Sequence, residues 1–82
     1  MPFKNEHSAR LKSPGQFKRF RRQNDKFGSG IDAIWGIKVK DGKEVVELQA
    51  IRFDKNKFTT AQARQWLKDK KISFIQFEPS EG

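Results

Sequence analysis

The sequence predicts an α+β fold: a β-hairpin followed by a helix and a third strand (ββαβ), with a basic N-terminal arm or short helix in front. Three observations predict it. Residues 31–53 form two apolar-alternating runs joined at Asp41 and Gly42, a pair suited to a two-residue hairpin turn. Thr59 and Gln62 then stand at capping-box spacing ahead of a run with helical period. A short apolar run, residues 72–77, follows that helix and ends at Glu78 and Pro79.

Taken in order, residues 1–12 have no period and read as extended or loosely ordered. Ser13 and Pro14 form a helix-start signal, Ser as cap and Pro in the first turn, so a short helix is expected over about residues 14–24. Phe17 and Phe20 would share its face, three residues apart. Gly28-Ser29-Gly30 connects this arm to the hairpin. Counting outward from the turn pairs Ile37 with Val46, Trp35 with Leu48 and Ala33 with Ala50, all on one face. A one-residue slip would turn one strand's apolar set to the opposite face, which specifies the register.

Beyond the hairpin, residues 54–57 make a polar turn. Ala63, Trp66 and Leu67 fall on one stripe of the helix, and Lys68, Lys70 and Lys71 suit the negative end of its dipole. Trp66, Leu67 and Phe58 are expected to cover the Ala33/Trp35/Ile37 face, with the third strand parallel to the second through a right-handed crossover. The opposite face mixes Ile34, Val45 and Ile51 with Lys38, Glu47 and Gln49, and the Phe17/Phe20/Phe27 segment is the candidate to cover part of it. The domain plan is an arm at 1–30, a ββαβ core at 31–78 and a tail at 79–82, one domain in all.

Length and composition narrow the function classes. A chain of 82 residues buries roughly 60–65% of its unfolded surface, so its large apolar residues carry most of the stability. Eight Phe and two Trp supply that burial in a chain only 34% hydrophobic. With no Cys, disulfides and thiolate chemistry are excluded. No apolar run reaches membrane-span length and no signal-peptide pattern opens the chain, so a cytoplasmic setting is expected.

Charge is the strongest global signal. The formal net charge is +8, and it is uneven. Residues 1–30 hold eight basic groups (Lys4, Arg10, Lys12, Lys18, Arg19, Arg21, Arg22, Lys26) against Glu6 and Asp25 alone. A basic arm on a near-neutral body calls for a polyanionic partner, which is nucleic acid, an acidic protein surface or anionic lipid; nucleic acid and an acidic protein are the two carried forward. Arg10, Lys12, Lys18, Arg19, Arg21, Arg22 and Lys26 are the candidate phosphate contacts. In the run FKRFRR, residues 17–22, aromatic and basic residues interleave, as stacking on unpaired bases requires, although aromatic residues are more often packed. Trp35 and Trp66 fall on facing apolar surfaces and are read as core.

Other chemistry is sparse. His7 is the single histidine and, without Cys, cannot complete the usual zinc sets, so it reads as a tail residue. No cofactor and no metal site are expected. Asp32, Glu47 and Gln49 share one hairpin face and resemble the metal-binding arrangement of restriction-type nucleases, where carboxylates hold Mg²⁺ and a third residue orients water. They are the only catalytic candidates, but Asp32 would pair with Ile51 and Glu47 with Gly36 rather than with each other, so a solvated strand face is the preferred explanation.

The fragments His7-Ser8-Ala9-Arg10-Leu11, Phe20-Arg21-Arg22, Gly30-Ile31-Asp32-Ala33-Ile34-Trp35-Gly36, Leu48-Gln49-Ala50-Ile51-Arg52-Phe53, Phe58-Thr59, Ala63-Arg64 and Trp66-Leu67 occur in that order. Together they resemble a small bacteriophage module found with prohead proteases and other morphogenesis proteins. The resemblance spans residues 7–67, implies a phage or prophage origin, a host-cell cytoplasmic setting and a binding role, and carries over no catalytic residue. The function expected is thus a small non-catalytic nucleic-acid-binding protein, monomer or homodimer. The alternative is a protein-binding phage accessory or inhibitor docking on an acidic host or virion protein, and the third reading is a Mg²⁺-dependent nuclease.

Overall fold

In a computed structural model that describes residues 4–80, the chain builds one five-stranded antiparallel sheet with a single α-helix on one face. The strands are β1 (Glu6–Arg10), β2 (Arg19–Gly28), β3 (Ile31–Lys40), β4 (Lys43–Asp54) and β5 (Gln76–Glu78), and α1 is Thr60–Asp69. Their order across the sheet is β2-β3-β4-β1-β5.

This corrects the expected ββαβ core. Residues 14–24 are not a helix: Pro14–Gln16 makes one 3₁₀ turn, Phe17 is already extended, and β2 follows. Ser13 has the extended backbone of a cap, but its side chain caps nothing. The arm at residues 1–30 is therefore not an appendage, because β1 and β2 are both woven into the sheet. Nor does the last strand lie beside β4. β1 occupies that place, pairing antiparallel with β4 on one side and β5 on the other. The last strand is also shorter than the apolar run at residues 72–77. Met1, Pro2 and Phe3 of the arm, and Glu81 and Gly82 of the tail, lie outside the described residues.

The hairpin turns at Asp41 and Gly42, both at positive φ (53° and 77°), as a primed two-residue turn requires. Ile37 faces Val46 and Trp35 faces Leu48. Between Ile34 and Trp35 the register shifts, so Ala33 faces Ile51 rather than Ala50, and Asp32 faces Arg52. Gln49 is the extra residue of that bulge. It is buried, its carbonyl accepts from the backbone N–H of Leu11 and Lys12, and its side-chain amide donates to the Lys12 carbonyl. The bulge thus fastens the chain leaving β1, and it is a buried polar group with its bonds made.

α1 starts at the capping box: Thr59 accepts from the Gln62 backbone N–H, and Gln62 accepts from that of Thr59. Its buried Ala63 and Leu67 meet Ala9, Ile31, Ile51 and Phe53, with Phe58, Trp66 and Phe77 packed around them. The helix therefore covers the Ile31/Ile51/Phe53 region rather than Trp35 and Ile37. Phe27 joins this side through Trp66, at 5.8 Å between ring centroids. Phe17 goes to the opposite face, its ring lying on Gly36, with Phe20 edge-on to it at 5.9 Å.

His7 is a joint of the core, not a tail residue. It is buried, its Nε2 donates to the Phe58 carbonyl, and its Nδ1 accepts from the Ser80 backbone N–H. These bonds require the proton on Nε2 and tie β1 to the approach of α1 and to the C-terminal segment.

Candidate nucleic-acid interface

β2 sets the placement of the basic residues. It is an edge strand exposed for most of its length, and its side chains alternate between the two faces of the sheet. Arg19 and Arg21 stand opposite Ile37 and Trp35, on the side that carries α1. Phe20 and Arg22 stand opposite Gly36 and Ile34, on the other side. The helix expected over residues 14–24 would have spread these groups around a cylinder, whereas the strand deals them to two surfaces.

On the face opposite α1 the cations are answered by carboxylates. Arg22 bridges Glu6 and Asp32, and Arg52 also reaches Glu6 at 3.3 Å. Arg10 meets Glu78 at 3.5 Å and Gln76 at 3.1 Å. Lys12 and Lys38 flank Glu47 at 3.0 and 3.1 Å. The hydrogen bond that Arg22 donates to Glu6, opposed by partial desolvation and helped by Asp32, raises the Arg22 guanidinium above its already high range. Burial lowers that of Arg52, against the pull of Glu6. A groove of about 460 Å³, with Phe20 (47% exposed), Arg10, Arg22, Arg52, Ile34 and Glu78 in its walls, runs over this ladder.

On the α1 side Arg19 donates to Glu44 at 2.9 Å, and Lys18 lies 3.7 Å from the same carboxylate. Arg21 and Lys26 have no carboxylate or hydrogen-bond partner among the described residues. Of the seven basic residues singled out in the sequence, five are thus paired within the fold. Their partners Glu6, Glu44, Glu47, Asp32 and Glu78 come from four different strands, which is why sequence proximity did not disclose the pairing.

The nuclease candidates are also engaged elsewhere. Asp32 takes Arg22 and the Asp25 backbone N–H, Glu47 takes its two lysines, and the Gln49 side chain bonds the Lys12 carbonyl. Among the described residues no group of three or more His, Asp or Glu side chains is arranged to hold a metal ion.

Glu47 supplies a pH-dependent link. The hydrogen bond from Lys12, then that from Lys38, holds its carboxyl below the usual carboxylate range. A depressed native value contributes stability that is complete above the ordinary carboxylate value and is lost as pH falls through the native one. Urea midpoints of Glu47→Gln are expected to fall less steeply than wild type on acidification below about pH 4.5. Identical slopes would mean that the two lysines do not act through this carboxylate.

Against protein-family models, curated proteins and solved structures, the chain finds no match. Among the described residues no helix is long and apolar enough to cross a membrane.

Proposed function

We propose that this protein is a small, basic, non-catalytic nucleic-acid-binding module that meets phosphates along edge strand β2. One observation carries the reading. β2 is exposed and charged along its length, and among the described residues Arg21 and Lys26 remain on it without acidic partners. A polyanion finds there charge that the fold does not already neutralise. The +8 net charge steers it to the surface, and the exposed Phe20 adds an aromatic ring to the same strand.

The test is fluorescence anisotropy of labelled single-stranded DNA, duplex DNA and RNA at about 50 and about 200 mM salt. Binding is expected at low salt and falls steeply at the higher one. The double variant Arg21→Glu/Lys26→Glu is expected to lose tenfold or more in affinity, about 1.4 kcal/mol. Replacing each phosphate contact also lowers the salt slope by about one. Absence of binding to any of the three probes at low salt removes the reading.

The second reading is a protein-binding phage accessory in the host cytoplasm. It is favoured by Val39 and Val46, which are 52% and 57% exposed near the hairpin tip. Capture of one protein partner from nuclease-treated lysate, with no nucleic-acid binding, would put it first.

A further inference from the structure

The sheet is longer than the helix that covers it. α1 closes over Ile31, Ile51 and Phe53, while Trp35, Ile37, Val39 and Val46 continue the same face toward the hairpin tip, outside that core. The β2–β3 and β3–β4 registers set Arg21 beside Trp35 and Ile37 beside Val46. Arg21, Arg22, Gln23, Trp35, Ile37 and Val46 line a groove of about 380 Å³ there.

Two details distinguish this groove from the one on the opposite face. The Trp35 indole is partly exposed, and its Nε1 donates to the Gln23 side-chain oxygen at 3.0 Å, which fixes the ring. It also holds one unspent charge: Arg22 is held by Glu6 and Asp32 and the nearby Arg19 by Glu44, but the side chain of Arg21, directly across from Trp35, has no partner among the described residues. The opposite groove offers Arg22 and Arg10 only by breaking their bonds to Glu6, Asp32 and Glu78.

We propose that this groove holds an unpaired base of a single-stranded nucleic acid, stacked on the Trp35 indole, with a neighbouring phosphate on Arg21. The proposal rests on the nucleic-acid reading and deepens it by naming the strand state and the contact. A fixed, part-exposed indole offers a π-face that any base can use, and an uncommitted guanidinium beside it supplies the anion contact. A duplex keeps its base faces stacked on one another and cannot fill such a site without opening. Charge also selects this occupant over a second copy of the chain, because two β2 edges would set like charges against each other.

The experiment uses full-length protein carrying Trp66→Phe, so that Trp35 is the only indole. Titration with unlabelled oligothymidylate is expected to quench Trp35 fluorescence in a saturating, salt-sensitive manner, and duplex DNA is expected to quench it much less. Removing one base-stacking platform costs roughly five- to hundredfold in affinity, so Trp35→Leu should lose that much in anisotropy with labelled oligothymidylate. Arg21→Ala, on an exposed edge where folding is undisturbed, should weaken the same binding and reduce its salt slope by about one. Anisotropy binding with no change in Trp35 fluorescence and no loss in Arg21→Ala would overturn the site while leaving the nucleic-acid reading in place. Equal quenching by duplex would overturn the single-strand assignment. No binding by anisotropy would remove the underlying reading itself.

Discussion

Phe53→Ala is expected to bring the domain close to unfolding at 25 °C. Phe53 is fully buried on β4, between its partners His7 on β1 and Ile31 on β3. Its ring meets Phe58 and Trp66 edge-on, each with centroids 5.6 Å apart. It is thus the point where sheet, helix and capping loop converge. Truncating a buried Phe costs about 3–5 kcal/mol, by transfer of the lost atoms and by the cavity left behind. A domain of this size has about 4–12 kcal/mol in all, so most of the margin goes with one side chain. Urea unfolding followed by tryptophan fluorescence gives the measurement. Phe53→Leu, which keeps part of the volume, should lose less, and Val46→Ala on the exposed hairpin should lie within about 0.5 kcal/mol of wild type. A Phe53→Ala variant as stable as Val46→Ala would show that the core is not centred here.

What the sequence disclosed followed the strength of local signals. The turn at Asp41 and Gly42 and the capping box at Thr59 and Gln62 are each specified within four residues, and both form. β2 was hidden because an edge strand exposed on both faces has no need of apolar alternation, so FKRFRR reads as a helix as easily as a strand. Phe17 and Phe20 do touch, but across an extended segment rather than along a helix. β1 was hidden because its buried residues include His7 and Ser8, whose polarity masks a central strand. The bonds that make His7 buriable come from Phe58 and Ser80, far along the chain.

The same limit applied to the candidate site. The basic residues were legible by type, but which of them remain uncompensated depends on carboxylates brought in by other strands. Arg22 is one of the candidate phosphate contacts in the basic run, yet Glu6 and Asp32 hold it. Alternation turns Arg21, its neighbour, to the other face, away from Glu6 and Asp32, and there it has no side-chain partner among the described residues. The bulge at Gln49 likewise moved Asp32 opposite Arg52, a shift that counting from the turn does not foresee.

Gly36 links the stability of the fold to the proposed interface. A Cβ at this position would stand 2.5–2.7 Å from three ring carbons of Phe17, closer than real contacts allow. Phe17 is 8% exposed and held on this glycine, with the Lys38 ammonium 5.5 Å from its ring centroid. Gly36→Ala is therefore expected to unseat the ring and cost about 1–3 kcal/mol, the usual loss on overpacking. Phe17→Ala alone should cost about 3–5 kcal/mol. The pair in one chain should cost no more than Phe17→Ala, because the clash disappears with the ring, and the double-mutant cycle should show strong coupling. Additive losses would mean that Phe17 does not sit on Gly36. Binding should respond as well. Lys18, next to Phe17, donates its backbone N–H to the Ile37 carbonyl at 2.9 Å, which is where β2 enters the sheet. Loosening that entry lets the outer strand fray and removes Arg21 from its place beside Trp35. Gly36→Ala should then weaken oligothymidylate binding although no cation has been removed, and a tighter or unchanged affinity would separate the binding surface from the seat of Phe17.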